Sequence, residues 1–571
     1  MGKRRLSMEK IRPMLFTTLK NYSGAQLVSD VVAGIIVAII ALPLSIALAL
    51  ASGVGPEQGI YTAIAAGFVI SFLGGSQVQI AGPTAAFATI VAGIVAKSGV
   101  EGLAVATIMA GIILVIMGFC QFGSLIKFIP FTITTGFTSG IAVTIVIGQL
   151  KDFFGVTYPA GMETIETMQK LTAFAAGFGS FNVQAVIVGL VCLAILILMP
   201  KITEKIPGSL VAVIAGILMV KFLPLKVNTI GDLYTVSNRL PAFRIPSFGF
   251  EVIRESLPDA FTIAVLAAIE SLLSCVVADG MIGGKHRSNT ELVAQGAGNI
   301  VSALFGGIPA TGAIARTAAN VKNGGRTPVA GMVHAVVLLL ILVILMPCAS
   351  WIPMPTIAAI LFMVAYNMCQ WRTFLKLVKT APKSDILVLV LTFFLTVIFD
   401  LVVAIEVGML LSCLLFMKRM SDETGTRSWL YAEEAAAAEK SSKDLRRIPL
   451  ELAVYEITGP LFFGAADRIN QIETADGTRC LILRMRAVPA LDSTAMNAMT
   501  ALYERCQKKG ITLILSHVNE QPMRAMEKAG FVELVGREHF CDNIEEALSH
   551  ADEVLEKEEN DPGEAVFTVA R

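Results

Sequence analysis

Long stretches without a single charged residue constrain this chain more than any other feature. Residues 31–56, 58–96, 102–126, 128–150, 171–200 and 327–371 contain no Lys, Arg, Asp or Glu. A helix of roughly 20 apolar residues crosses a hydrocarbon core of about 30 Å. Each run can therefore cross once, and 58–96 and 327–371 can cross twice. A soluble chain of 571 residues would intersperse its apolar residues with polar ones, yet 55% are hydrophobic and 16% charged. Soluble domains carry about 25% charged residues. A single soluble domain, a secreted disulfide scaffold and a disordered chain are excluded.

Net charge is zero, from 45 basic and 45 acidic residues, which argues against nucleic acid as a partner. The nine cysteines form no C-x-x-C pair and mostly sit in apolar runs, so they read as buried packing thiols. The basic N-terminus is read without a secretory signal, because its first apolar run is too long for an h-region.

Composition changes near residue 420. The expected organisation is an N-terminal arm (1–29), a membrane part (30–420), a polar linker (421–447), a strand-and-helix domain (448–555) and a disordered acidic tail (556–571). The membrane part reads as about fourteen segments, two of them short, centred near residues 40, 65, 90, 112, 138, 190, 214, 268, 298, 317, 338, 361, 392 and 409. Lys and Arg concentrate on one side: in the arm, at Lys127, Lys201, Lys205, Lys285, Arg287, Lys322 and Arg326, in the 372–383 loop and at Lys418 and Arg419. Basic loops stay inside, so both termini are expected in the cytoplasm. The long 221–256 segment, with five basic residues, lies outside as an exception tolerated by long loops.

Two stretches about 230 residues apart resemble one another, as expected of a repeat-built transporter. Gly74-Gly75 leads through an extended stretch to Gly82-Pro83-Thr84-Ala85, and Gly306-Gly307 leads likewise to Thr311-Gly312-Ala313-Ile314. Each opens a helix too short to span alone. An odd number of segments per copy makes the second copy inverted. Non-helical backbone at membrane depth must face protein or a wet cavity. Two half-helix N-termini facing one another, with free N–H groups and positive dipole ends, make an anion site.

Few charges lie inside the apolar part. Arg316 follows Gly312 in the second short helix, and a cation at that depth is a functional hypothesis by default. Glu270 is the one acid between Asp259 and Asp279, with Ser274 one turn on. It could pair with Arg316, coordinate a cation or carry a proton. Pro43 is expected to break the first helix, with Leu44 and Leu48 on one face just after it. Gly283-Gly284-Lys285-His286 lacks Walker spacing, and no metal-ligand spacing is present. No cofactor and no enzymatic chemistry is expected.

After residue 448 the pattern alternates: strands at 449–458, 480–485 and 511–516, helices at 465–472, 493–507 and 521–529. This reads as a small α/β sandwich. Asp492 and Ser493 open a helix. A cap is the favoured reading, with Ser493 the alternative of a regulatory phosphosite.

With these residues in view, the chain resembles the SulP, or sulfate permease, family of anion transporters over nearly its whole length. The resemblance rests on Ala41-Leu42-Pro43, Gly53-Val54-Gly55-Pro56-Glu57-Gln58-Gly59, Gly82-Pro83-Thr84, Glu270 through Asp279, Gly284-Lys285-His286 with Ser288, Asn289, Glu291 and Leu292, and Gly306-Gly307-Ile308-Pro309. Leu491-Asp492-Ser493-Thr494 looks like a STAS domain. The resemblance implies a polytopic α-helical membrane protein built as a seven-plus-seven inverted repeat with core and gate domains. It also implies a homodimer with cytoplasmic STAS domains in a bacterial inner membrane. Substrate would meet Leu44, Leu48, Thr84, Ala85, Gly312, Ala315 and Arg316, with Glu270 and Ser274 as coupling residues.

Sodium-coupled bicarbonate members look to have Asp at the Glu270 position and Thr near Ile314. Ile314 offers no oxygen to a hard cation. Secondary transport of a small oxyanion, proton-coupled or by exchange, is therefore expected, with sulfate, bicarbonate and dicarboxylates all open as substrates. The alternative is an anion channel or a membrane anion sensor signalling through the STAS domain.

Overall fold

A computed structural model describes residues 11–124, 130–162, 164, 166–202, 207–223, 225–399, 401–428 and 451–560. Lys127, Lys205, most of the expected linker and the tail from residue 561 lie outside the described residues. Contacts divide the chain into two units, residues 1–410 and 411–571.

The first unit is helical. In its first half run α1 (Gly24–Ala51), α2 (Pro56–Leu73), β1 (Ala81–Gly82), α3 (Ala85–Phe119), α4 (Phe131–Phe154), α5 (Thr167–Gly177), α6 (Val183–Ile202) and α7 (Gly208–Phe222). The second half runs α8 (Phe250–Ile282), α9 (Ser288–Leu304), β2 (Thr311–Gly312), α10 (Ile314–Lys322), α11 (Val329–Ala349), α12 (Met354–Cys369), α13 (Trp371–Thr380), α14 (Lys383–Ile398) and α15 (Leu401–Glu423), which continues into the second unit. Six of the described helices (α1, α3, α4, α6, α8 and α11) are by themselves long and apolar enough to cross a membrane, and so is the stretch Met354–Thr380 that α12 and α13 make together.

Gly99, at φ 69°, divides α3 into a half-helix (85–98) and a following span (100–119). With that division each expected centre falls in a helix, and each half has seven crossing segments in the order the inverted repeat demands. The two short helices, α5 and α13, were not expected. Each follows the fifth crossing of its half. Residues 372–380, expected as part of a loop, are helical.

Pro43 does not break α1, which continues to Ala51. A proline removes one i→i−4 bond, and packed neighbours let a membrane helix tolerate that loss. Small residues let the spans approach closely. A Cβ on Gly111 of α3 would lie 2.6 Å from the Gly296 carbonyl of α9, and one on Gly296 would collide with the Gly111 carbonyl. The 221–256 segment covers the helix ends away from the basic loops. Its Arg244 N–H donates to the Leu304 carbonyl (2.7 Å), and its Arg239 carbonyl accepts from the Tyr61 hydroxyl (2.8 Å).

The second unit holds β3 (Gly425–Ser428), β4 (Leu452–Thr458), α16 (Asp467–Asn470), β5 (Cys480–Ala487), α17 (Ser493–Lys508), β6 (Thr512–Ser516), α18 (Glu520–Lys528), α19 (Phe531–Val535), β7 (Phe540–Cys541) and α20 (Ile544–Asn560). The sheet order is β3-β4-β5-β6-β7, parallel except for antiparallel β3. Side chains alternate across β5. Leu481 and Leu483 face Met499, Leu502 and Phe531, whereas Cys480 and Ile482 face Ala547 and Ala551 of α20. Burial on both faces explains the near-continuous apolar run of Cys480–Met485.

Two boundaries move. The stretch read as a linker supplies β3, because its Gly425–Ser428 backbone completes the edge beside β4. The stretch read as a disordered tail begins inside α20, whose Ala547 and Ala551 pack on the sheet. The cysteines also divide. Cys192, Cys275, Cys480, Cys506 and Cys541 are buried, but Cys120 and Cys413 are exposed, and the exposed pair corrects the packing-thiol reading.

Candidate functional site

The two Gly-led stretches meet at the centre of the first unit. β1 pairs antiparallel with β2, Ala81 opposite Gly312 and Gly82 opposite Thr311. The pairing satisfies backbone groups that no helix serves at this depth. Side chains satisfy much of the rest. The Ile80 N–H donates to Thr317 Oγ1 (3.1 Å), the Gly312 N–H to Ser271 Oγ (3.2 Å), and Asn320 Nδ2 to the Val78 carbonyl (2.9 Å). Asn299 both donates to the Ala310 carbonyl (2.9 Å) and accepts from its N–H (2.8 Å). Buried Glu291 accepts from the Gly75 N–H (2.9 Å), the Ser76 N–H (3.2 Å), Gln79 Nε2 (2.9 Å) and Gln295 Nε2 (2.8 Å).

From this crossing, α3 and α10 begin at Ala85 and Ile314. Neither start is capped by a side chain; in α3 the Phe87 N–H turns back to the Thr84 carbonyl (3.2 Å), and the remaining N–H groups that open the two helices are left for another partner. Both starts line a cavity of about 400 Å³, within the usual range for small-molecule sites. On one side its wall is Leu44, Leu48, Thr84, Ala85, Glu270, Gly312, Ala315 and Arg316. Across from them stand Phe131, Thr134 and Thr138 of α4, Leu196 of α6, Ser209 of α7, and Ile360, Met363 and Asn367 of α12. The cavity thus lies between helices from both halves.

Arg316 is 3% exposed. Its Nη2 donates to the Pro83 carbonyl (3.2 Å) and to Ser45 Oγ (3.3 Å). Its Nη1 is buried with no protein partner. Gly82 makes room for it: a Cβ there would lie 2.5 Å from Nη1. Gly312 is equally constrained, since a Cβ would collide with the Gln79 amide. A buried cation without a counter-charge costs several kcal/mol, so the geometry favours an anion beside it.

Glu270 does not pair with Arg316. Its Oε2 accepts from Thr84 Oγ1 at 2.8 Å, across the start of α3. Ser274 is not in the cavity wall. Its hydroxyl meets Thr317 Oγ1 at 3.4 Å and helps hold α10. One turn along α8 moved it out of reach, because α10 packs between Ser274 and the cavity. Ser493 is exposed at the first position of α17, and the cap is Asp492, whose Oδ1 accepts from the Ala495 N–H (2.9 Å).

Sequence reasoning placed Glu270 and Arg316 nearly alone at depth. Asp30 and Glu291 are as deeply buried. Asp30 accepts from Thr327 Oγ1 (2.6 Å), the Arg326 N–H (2.8 Å), the Tyr22 hydroxyl (2.9 Å) and Gln26 Nε2 (3.1 Å). Both acids are filled by donors, and both sit near the edges of charge-free runs, where a reader expects solvent. The opposite cavity wall was also missed. Its signal was the Thr-rich stretch Thr132-Ile-Thr134-Thr135-Gly-Phe-Thr138 in an otherwise apolar span.

Comparison with known proteins agrees with this architecture. The family model for the sulfate permease family matches residues 27–392, and the STAS domain model matches residues 443–547. A putative sulfate transporter of Bacillus subtilis, YvdB, is 38% identical over 532 residues, covering 92% of this chain and 98% of that protein. The bicarbonate transporter BicA of Picosynechococcus is 31% identical over 548 residues, covering 91% and 94%. The structure of the murine Solute Carrier 26 family member A9 anion transporter, in an inward-facing state, matches with a TM-score of 0.84 at 18% identity and covers 97% of each chain; it shares the fold. The chain belongs to the sulfate permease family, a family of membrane anion transporters rather than enzymes, and carries a C-terminal STAS domain.

Proposed function

We propose that this chain is a secondary active transporter of a small oxyanion, which binds at the crossing of α3 and α10 and moves by alternating access. The observation that carries the reading is Arg316 Nη1, buried and unpartnered beside two uncapped helix starts.

Charge arithmetic favours proton coupling. Each half-helix start contributes about +0.5, so with Arg316 the site holds roughly two positive charges. Ionised Glu270 would leave about one, which suits a monoanion. Protonated Glu270 would leave about two, which suits a dianion. Loading a dianion therefore favours a proton on Glu270, and carrier movement takes both across. Sodium coupling is disfavoured because Ile314, which lines the cavity, brings no oxygen ligand.

The cavity reaches Phe131, Ser209 and Gln370, which neighbour the basic loops. This supports an inward-facing state, with both termini cytoplasmic in a bacterial plasma membrane. The working assembly is read as a homodimer. Relatives bear the names of sulfate and bicarbonate transporters, so these anions lead, with dicarboxylates next. A counterflow panel of labelled sulfate, bicarbonate and dicarboxylates in proteoliposomes tests the reading. At least one should exchange, and none should with Arg316→Ala. Anion flux without counterflow would point instead to a channel.

A further inference from the structure

We propose that α13 is an in-plane docking site for an anionic phospholipid, with Arg372, Lys376 and Lys379 on the headgroup phosphate and Trp371 and Leu375 against the acyl chain. The site goes beyond the anion pathway and does not depend on it.

The local geometry sets the helix on a membrane face. Gln370 takes a left-handed conformation, φ 44°, which separates α12 from α13. Ten residues are too few to cross, and α14 starts its own span three residues later. The three cations lie at i, i+4 and i+7, along one stripe of the helix. The far side packs inward, where the Phe374 ring meets Phe393 edge-on at 5.5 Å. Beside the basic stripe, Trp371 is 43% and Leu375 47% exposed, as suits residues at an acyl boundary.

Among the described residues no carboxylate pairs with Arg372, Lys376 or Lys379. The guanidinium of Arg372 instead lies 5.4 Å from the Trp371 ring. Three adjacent cations without counter-charge call for an anion of their own. The matching helix of the first half, α5, follows the equivalent crossing yet carries Lys170 as its one basic residue. Internal symmetry supplies the in-plane helix twice, and the basic stripe appears on one copy alone. That asymmetry fits a leaflet rich in anionic lipid. Gln370 also lines the central cavity, and the Cys369 carbonyl accepts from Ser139 of α4 (2.7 Å). A lipid held on α13 therefore steadies one wall of that cavity.

The test uses the full chain in vesicles. Trp351→Phe and Trp429→Phe leave Trp371 as the one tryptophan of three. Phosphatidylglycerol with brominated tails should quench it several-fold more than brominated phosphatidylcholine at the same bilayer fraction. Each basic residue near an anionic surface strengthens attraction about fivefold, so added salt should shrink the preference and R372Q/K376Q/K379Q should erase it. Lys376→Arg with Lys379→Arg should keep it. Equal quenching by the two lipids, or a preference that survives the triple substitution, would overturn the proposal. So would inorganic phosphate binding to the same three residues in detergent, which would assign the stripe to a soluble anion.

Discussion

At the residue scale the account rests on one cation and one carboxylate that do not touch. Arg316 spends Nη2 on Pro83 and Ser45 and leaves Nη1 unpartnered, while Glu270 is held by Thr84. A charge-assisted hydrogen bond contributes about 1.5–3 kcal/mol, so Arg316→Ala should weaken anion binding about 10- to 150-fold in a direct binding assay. Gel filtration should still return folded protein. Unchanged affinity would show that the guanidinium only reaches toward the water. Glu270→Gln mimics the protonated carboxyl and separates the charge states. Dianion affinity should rise as pH falls in the wild type and become independent of pH in the variant. A pH dependence that survives would place the proton elsewhere. Both residues were legible in the sequence because charge is rare where they lie. Ser274, one turn after Glu270, meets Thr317 of α10 rather than the cavity, because helical spacing tells which residues share a face but not what packs against that face. Only α10 settles that.

At the element scale, matching Gly-led stretches announced the crossing of β1 and β2, and the structure supplies the network that holds it. Asn299, Asn320, Thr317, Ser271 and Glu291 each serve backbone of the extended segments. That network was illegible, since its members lie far apart in the sequence. Pro43 misled in the opposite sense: a residue that ends helices in water sits inside a continuous α1. Helix contact through glycine carries its own test. Gly111→Val would drive a side chain into α9 and should destabilise the protein by about 1–3 kcal/mol, read as a lowered melting temperature in detergent. Gly148→Ala meets nothing within 4 Å and should be neutral or mildly stabilising. Equal effects of the two would remove close packing as the role of Gly111.

At the scale of the whole molecule, charge scarcity and a repeat make the architecture legible in the sequence. The STAS core was equally legible from its alternation of apolar strands and amphipathic helices. Its edges were not, because β3 and the end of α20 are polar segments that gain their order from packing. Ser209 lines the cavity and neighbours the basic loops, so on the proposed orientation a cysteine at Ser209 should react with a membrane-impermeant thiol reagent in inside-out vesicles and not in intact cells. The reverse pattern would invert the topology.

The most direct test of the central claim is uptake of labelled sulfate, a dianion, into proteoliposomes under an imposed inward proton gradient. The account predicts accumulation above the external concentration for the transported anion, collapse of that accumulation with a protonophore, and none with Arg316→Ala. Flux that only dissipates an anion gradient, indifferent to the proton gradient, would contradict it.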